Sequence, residues 1–459
     1  YSAGGGVAYN RGIHALPHDT WSREASVRLD AAPAEGWSLT GVGRFLGVES
    51  NHPVRDPGAT RVPLDPNARL ERDRWVGTAE ARWAASPRWS HRVKASLFRQ
   101  DFTFEDERDD IAQPPDFFVS DATFTFGADL LRTTAEYLAR WTPPAPFDLD
   151  LAMGAQWERE DLANELRGDF GDTQEDLDRA SGAAFVDVHA TPHPRLSVLA
   201  GARVERWEGL DAEATPRAAA VVQAVPGLLS LRVAAGRAYK VPNLQEQFTD
   251  NAFLRPNPDI APETSVSWEV GADVEAEGGL SLGATAFRQT YRNLIRTVPL
   301  EDEERFQNRN VGRSRAWGVE GSLRWRASAR VALGLDATRT WTEVLDNTGL
   351  SPEQYPRGDA LPFRPTHVAS ALARVRAHPR VEVLLRATRV GSQVVLSERF
   401  GGRRVGLDPY ARVDATVDLA LGGGRTLYLR VDNVTDTDYM TAFDRPGLPA
   451  TAVVGLRVR

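Results

Sequence analysis

A polar loop at residues 239–263 carries the side chains best suited to bind a small ligand. Tyr239, Phe248 and Phe253 offer aromatic rings that can stack on a ligand, and Arg255 can pair with an anionic group. For any one of these residues, ordinary packing within the loop is the simpler explanation. Together they are the candidates for substrate contact.

Catalytic and metal-binding patterns are not visible in the sequence. Among the 8 histidines, His189 and His193 are close in sequence, and Thr191-Pro192 predicts a turn between them. There is no HExxH, P-loop or GxSxG motif, and the Cys count of 0 excludes thiolate sites. The acidic run at 105–110 has carboxylates that could bind Ca²⁺, but a solvated external loop is the simpler interpretation. We predict neither an enzyme nor a bound cofactor or metal.

Alternation with a period of two runs through the whole chain and predicts β-strands rather than helices. Across residues 264–274 the even positions are mostly apolar, whereas the odd positions are polar or small. No window holds the roughly 18 consecutive apolar residues that a membrane helix requires. The same alternation recurs at 24–30, 148–158, 195–205, 331–338 and 411–419.

The lengths of the connections decide the fold class. Short connections are predicted at 31–36, 86–89, 142–147, 191–194, 225–227, 276–279, 326–330, 378–380 and 421–424. They alternate with long polar connections at 48–73, 104–128, 159–181, 239–263, 292–313, 344–365, 392–409 and 434–450. A soluble sandwich has no reason to gather its long loops at one end, whereas an outer-membrane barrel does so. We therefore predict an all-β fold, a transmembrane antiparallel β-barrel with about 20 strands present.

Tryptophans and charges fit the two surfaces of such a barrel. An interfacial girdle explains the tryptophans near predicted strand ends, although anchors of a soluble sheet would be the alternative: Trp21, Trp37, Trp75, Trp89, Trp141, Trp207 and Trp341. Charges facing lipid cost about 2–4 kcal/mol at the bilayer midplane, so one face must meet a wet or protein-filled lumen. The residues predicted to face this lumen include Glu269, Glu320, Arg386, Asp414 and Asp418. About 20 strands enclose too wide a space for their own side chains to fill, so the lumen is either open or plugged.

Five short motifs resemble the barrel half of the TonB-dependent receptors, which are plugged barrels that import scarce nutrients across the outer membrane. They occur in the order and spacing of that family, at GRAYKVPNL (236–244), NPDIAPE (257–263) before WEVG (268–271), NRN (308–310) with GVEG (318–321), RPTH (364–367), and DNVTD (432–436) with Tyr439. We interpret most motif residues as structural. Gly236, Gly271 and Gly318 suit close backbone approaches, and Pro258 stiffens the loop.

The resemblance also implies parts that we do not find. Such a receptor has a barrel of roughly 22 strands, an N-terminal plug and a TonB-binding box. The first segments here resemble the third to fifth strands of the family. We therefore expect residues 1–459 to be one barrel domain without the plug and the first hairpin. Because the family's last strand usually ends on an aromatic residue, the terminal Arg459 suggests that the C-terminus is also incomplete.

The resemblance implies a transporter that imports a ferric siderophore or a similar chelate in the bacterial outer membrane. A cobalamin receptor of the same family and a non-energised channel or adhesin are the alternatives, and a soluble β-rich enzyme is a third hypothesis. The expected partners are outer-membrane lipid, an extracellular metal chelate or cobalamin, and the TonB complex through the missing N-terminal region. The net charge of -8, with both signs mixed, gives no support to nucleic-acid binding. We expect a monomer.

Overall fold

A computed structural model describes residues 1–11, 17–52, 66–109, 122–300, 305–397, 402–442 and 445–458. Most of these described residues lie in β-strands, and one short helix occurs among them at Leu244–Phe248 (α1). Within these residues no helix is long and apolar enough to cross a membrane. The all-β prediction is confirmed.

One antiparallel meander accounts for most of the structure. The strands are β1 (Ser2–Asn10), β2 (Thr20–Ala31), β3 (Trp37–Asn51), β4 (Arg69–Ser86), β5 (Trp89–Asp106), β6 (Phe124–Trp141), β7 (Asp148–Gly168), β8 (Thr173–His193), β9 (Leu196–Trp207), β10 (Glu213–Val225), β11 (Leu229–Lys240), β12 (Leu254–Arg255), β13 (Glu263–Ala276), β14 (Leu280–Pro299), β15 (Phe306–Trp325), β16 (Val331–Asp346), β17 (His367–His378), β18 (Val381–Val390), β19 (Gln393–Ser397), β20 (Arg403–Leu407), β21 (Tyr410–Gly422), β22 (Arg425–Asp432), β23 (Met440–Ala442), β24 (Arg445–Pro446) and β25 (Thr451–Val458).

Nearly every long strand pairs with the next long strand along the chain. The resulting sheet has 21 strands, of which β12 is a two-residue strand that pairs in parallel with β15. The remaining strands agree with the prediction of about 20. Two small hairpins, β19–β20 and β23–β24, stand apart from the main sheet in the long connections.

Two of the predicted long loops are wrong, because strands occupy most of their length. Residues 159–181 continue β7 and β8 almost to the turn, and residues 292–313 do the same for β14 and β15. Beyond the membrane a strand needs no apolar face, so its two faces are both polar and the apolar signal disappears. The β7–β8 hairpin turns directly after Gly168. This residue has φ 124, and a Cβ there would lie 2.2 Å from the Thr123 carbonyl oxygen.

Outside these upper parts, the long strands of the main sheet have an apolar face and a polar face. The apolar face carries stacked tryptophan pairs near the short connections, Trp37–Trp83 and Trp89–Trp141, with ring centroids 5.6 and 5.5 Å apart. Near the long connections, Trp317 and Trp341 stack at 6.5 Å. On β15, Trp317 and Trp325 are separated by roughly 27 Å of strand at about 3.4 Å per residue. This spacing suits two aromatic belts that border an apolar band.

Trp207 does not belong to either belt, so its assignment to the girdle is wrong. It is only 7% exposed and lies beneath the guanidinium of Arg179, at 4.6 Å from the ring centroid. The alternation of β9 places Trp207 on the same face as Arg203 and Glu205, which is the polar face. Its position at a strand end was correct, but its face was not.

Candidate functional site

The polar face near the long connections carries a network of charged side chains that includes one of the candidates. Tyr239 is half-buried, and its hydroxyl donates a hydrogen bond to Glu205, which also accepts from Arg203 at 2.7 Å. A cleft of about 460 Å³ lies beside them, and the pair Arg217–Asp187 (2.7 Å) lines it. Tyr239 therefore belongs to a polar cleft, where its hydroxyl is held by a carboxylate.

A buried ion pair lies next to this cleft. Glu160 and Arg179 are each only 5% exposed, and Arg179 donates two hydrogen bonds to Glu160 at 2.8 and 2.9 Å. A third hydrogen bond runs from Arg179 to the carbonyl oxygen of Pro242 at 2.7 Å, while Arg132 contacts the other oxygen of Glu160. The pair thus ties the β7–β8 hairpin to the chain that follows β11.

The residues after β11 form a structured lid segment, which we define as residues 241–262. Its helix α1 begins with a capping box, in which Asn243 accepts from the Glu246 amide at 2.7 Å and Glu246 accepts from the Asn243 amide at 2.8 Å. Gln245 donates to Asn164 on β7 at 3.0 Å. Ile260 is 1% exposed. The lid segment is therefore folded against the β7–β8 hairpin rather than free in solvent.

Asparagines fasten the other side of the lid segment to β15. Asn257 donates to the Asn308 carbonyl oxygen at 2.7 Å, and Asn310 both accepts from the Ala261 amide and donates to its carbonyl oxygen at 2.7 Å each. Asn308 also donates to the carbonyl oxygen of Glu246 at 3.1 Å. The NPDIAPE and NRN motifs thus contact each other. Their asparagines satisfy backbone groups, which supports a structural interpretation.

A chain of phenylalanine rings leads to the tip of the lid segment. The centroids of Phe104 and Phe124 are 5.8 Å apart, those of Phe124 and Phe170 are 5.6 Å apart, and those of Phe170 and Phe253 are 4.9 Å apart. Phe253 is 43% exposed. These rings come from the ends of two strands, from one turn and from the lid segment, so the sequence alone did not reveal their contact. We call these four residues the phenylalanine row.

The structure does not gather all four candidates into one contact. Tyr239 contacts β9, whereas Phe253 contacts the turn between β7 and β8. Phe248 is partly exposed on α1, and Arg255 is exposed on β12, two residues after Phe253. Substrate contact by each of them stays a prediction. Of the four candidates, Phe253 and Arg255 are exposed, whereas Tyr239 and Phe248 are only partly exposed.

The five residues predicted to face a lumen all lie on the polar face. Glu269 and Glu320 are on the face opposite Val270 and Val319, which are among the exposed apolar residues. The others lie on neighbouring strands toward the C-terminus: Arg386 and Asp414 are cross-strand partners, and Asp418 lies 3.8 Å from Arg457. Their shared face agrees with the alternation, and their exposure to a lumen stays a prediction.

Of the motif glycines Gly236 and Gly318, the structure supports a close backbone approach only at Gly318. A Cβ on Gly318 would lie 2.3 Å from the Arg339 carbonyl oxygen, whereas one on Gly236 would meet nothing closer than 3.6 Å. Gly236 therefore does not mark a close approach.

No group of three or more His, Asp or Glu residues that could hold a metal ion occurs in the described part of the chain, and Asp110 of the acidic run lies outside it.

Comparison with known proteins identifies the family. Residues 9–434 match the sequence profile described as TonB dependent receptor-like, beta-barrel. The chain belongs to the TonB-dependent receptor family. The receptor is therefore an outer-membrane β-barrel protein, from a family of transporters and receptors rather than enzymes.

Individual relatives agree on the fold and differ in cargo. The ferrienterobactin receptor of Escherichia coli (strain K12) is 26% identical over 240 residues, which are 45% of this chain and 30% of that protein. The crystal structure of the ferric-catecholate import receptor Fiu from E. coli K12 superposes with a TM-score of 0.76 at 14% identity, covering 99% of this chain and 76% of that one. The copper transporter OprC superposes with a TM-score of 0.78 at 13% identity, covering 99% and 75%. The fold alone therefore does not name a substrate.

Proposed function

We propose that this receptor takes up a ferric siderophore, and that its external side recognises a catecholate type of chelate. The observation that carries the proposal is the phenylalanine row, which ends at the exposed Phe253 beside the exposed Arg255. Iron held by three catecholates presents flat aromatic rings and a net negative charge. Rings stack on phenylalanine, and an arginine pairs with the anion.

The family relationships support the same class of substrate. The ferrienterobactin receptor and the ferric-catecholate import receptor are named for such complexes, while the copper transporter shows that this fold also carries other cargo. Residues 1–459 would form a single barrel domain, and uptake would draw on the TonB complex as it does in the family. Cobalamin offers no set of catechol rings, so the phenylalanine row favours the siderophore over cobalamin.

Ligand binding to the detergent-solubilised chain tests the proposal. A ferric tris-catecholate complex is titrated while tryptophan fluorescence is recorded, and the Phe253→Ala variant is compared with the unaltered chain. Loss of the exposed ring removes stacking and apolar contact of about 1–2 kcal/mol, so the Kd should rise roughly 5- to 30-fold. The matched control is Phe147→Ala, because Phe147 is 38% exposed at a short connection on the opposite end of the strands.

Three outcomes would contradict the proposal. They are saturable binding of cobalamin without binding of the ferric complex, equal weakening by both phenylalanine variants, and binding of the ferric complex that Phe253→Ala leaves unchanged. Energy coupling is tested separately by measuring uptake in cells that produce the receptor. Uptake that persists without TonB would favour a non-energised channel.

A further inference from the structure

Five arginines cluster on the apolar face, where a membrane protein normally excludes charge. They lie on β14, β15 and β16 near the long connections: Arg288, Arg292, Arg313, Arg315 and Arg339. Cross-strand pairing places each of them on the same face as Val266, Val270 and Val319, which are exposed. Together with Trp268, Trp317 and Trp341 we call them the arginine–tryptophan patch.

The register of the strands interleaves the two residue types. Trp268, Arg288, Trp317 and Trp341 are successive cross-strand partners over β13 to β16. Arg315 lies over the ring of Trp317 at 4.8 Å, and Arg339 lies over the ring of Trp341 at 5.4 Å. Neighbouring strands are only about 4.8 Å apart, so the charges and rings form one contiguous surface.

The cations of the patch outnumber its anions. Glu343 pairs with Arg315, and Asp346 lies opposite Arg313. Arg292 and Arg313 are themselves direct cross-strand partners, an arrangement that is unfavourable unless an anion bridges them. Within the described residues, neither Arg288 nor Arg292 has an acidic partner. The patch therefore carries excess positive charge.

Two other arginines on the apolar face have an acidic partner on their own strand. Arg99 pairs with Asp101 at 2.8 Å on β5, and Arg159 pairs with Asp161 at 2.9 Å on β7. These pairs neutralise themselves and require no external anion. On β14, by contrast, neither Arg288 nor Arg292 has an acidic residue two positions away on its own strand.

We propose that the arginine–tryptophan patch binds phosphorylated lipid headgroups of the outer leaflet. Its tryptophans belong to the belt near the long connections, where an arginine on the lipid side costs little, whereas the bilayer midplane penalises it heavily. Guanidinium groups bind phosphate oxygens with paired hydrogen bonds, and an indole ring suits the interface next to them. The patch would hold bound lipid molecules against one side of the barrel, independently of the transported substrate.

Binding of lipid A to the purified chain tests this proposal. Bisphosphorylated lipid A is added to the protein in detergent, and the number of retained lipids is counted by native mass spectrometry. The variant Arg288→Gln/Arg292→Gln/Arg339→Gln should weaken binding at least tenfold. The control Arg99→Gln/Arg159→Gln removes arginines from the same face, and we expect its binding to stay within twofold of the unaltered chain.

The nature of the ligand is tested with further probes. Phosphatidylcholine should not bind above background, and a monophosphorylated lipid A should bind more weakly than the bisphosphorylated form. Equal binding by the triple variant and the control would overturn the proposal, as would equal binding of lipid A with or without its phosphates. Protection from thermal unfolding by inorganic phosphate alone would point to a free-anion site and would also overturn it.

A second measurement keeps the proposal testable if the triple variant fails to fold. Heat-modifiable migration in gels reports whether each variant folds. If the triple variant does not fold, the single variants Arg288→Lys and Arg288→Gln are measured in its place. A bound phosphate requires that Lys retain more lipid than Gln, and that retention by the unaltered chain fall as salt is raised. Identical retention by the two single variants would refute the proposal.

Discussion

Removing the guanidinium of Arg179 should release the lid segment from the β7–β8 hairpin. Arg179→Met deletes two hydrogen bonds to Glu160 and one to the Pro242 carbonyl oxygen, and leaves Glu160 buried. Breaking a buried ion pair on one side costs about 3–5 kcal/mol. Because Arg132 still contacts Glu160, we expect the lower end of that range, near 3 kcal/mol.

Hydrogen exchange measures this loss where it should occur. The backbone amides of Gln247 and Thr249 bond within α1, so they exchange only when the helix opens. If a third to a half of the loss appears as local opening, exchange at 243–249 should accelerate roughly 5- to 15-fold, since about 1.4 kcal/mol corresponds to a factor of ten. Exchange within β13 should stay unchanged.

Two further variants separate the buried pair from a general effect. Arg159→Met, on the apolar face of β7, removes an exposed pair and should change exchange by less than about twofold, because such pairs contribute roughly 0–1 kcal/mol. Glu160→Leu combined with Arg179→Met should recover part of the protection, because it removes the stranded charge. Equal exchange in Arg159→Met and Arg179→Met would refute the reasoning.

Two more predictions concern close packing and the lid segment. Gly318→Ala should destabilise the barrel by about 1–3 kcal/mol in guanidinium unfolding, because its Cβ would meet the Arg339 carbonyl oxygen, whereas Gly77→Ala has nothing within 4 Å and should be neutral. Equal effects of the two would contradict this account. Asn310→Ala leaves both polar groups of Ala261 without their partner, so exchange at 257–263 should accelerate, at a cost of about 1–3 kcal/mol. Unchanged exchange there would show that another contact holds the segment.

The fold was predictable to the extent that lipid imposes a pattern on the sequence. Apolar alternation identified the strands, and short turns such as 31–36 are where they were expected. Alternation disappears above the membrane, so the sequence pattern does not distinguish the upper halves of the β7–β8 and β14–β15 hairpins from loops. Trp207 was assigned to a belt by its position at a strand end, although its parity with Glu205 already placed it on the polar face.

The sequence could predict only those site residues that lie close together along the chain. Phe253 and Arg255 were found because one loop contains both. The phenylalanine row joins residues from β5, β6 and the β7–β8 turn, and only strand register brings these together. The buried pair of Glu160 and Arg179 was missed for a related reason. Charged residues in an apparent loop look solvated until the strands that carry them are recognised.

Within the lid segment, the residues that hold it against β15 are different from the exposed residue proposed to contact the substrate. Asn257 forms one hydrogen bond with β15 and Ala261 forms two, so substitution at these motif residues should change the fold before it changes ligand binding. Phe253, in contrast, is exposed and touches only the edge of Phe170 among the ring contacts of the described residues. A receptor can change such a ring without loosening the lid segment. We therefore expect substrate preference to follow the tip of the segment and the phenylalanine row, while the motif residues hold the rest of the segment against β15.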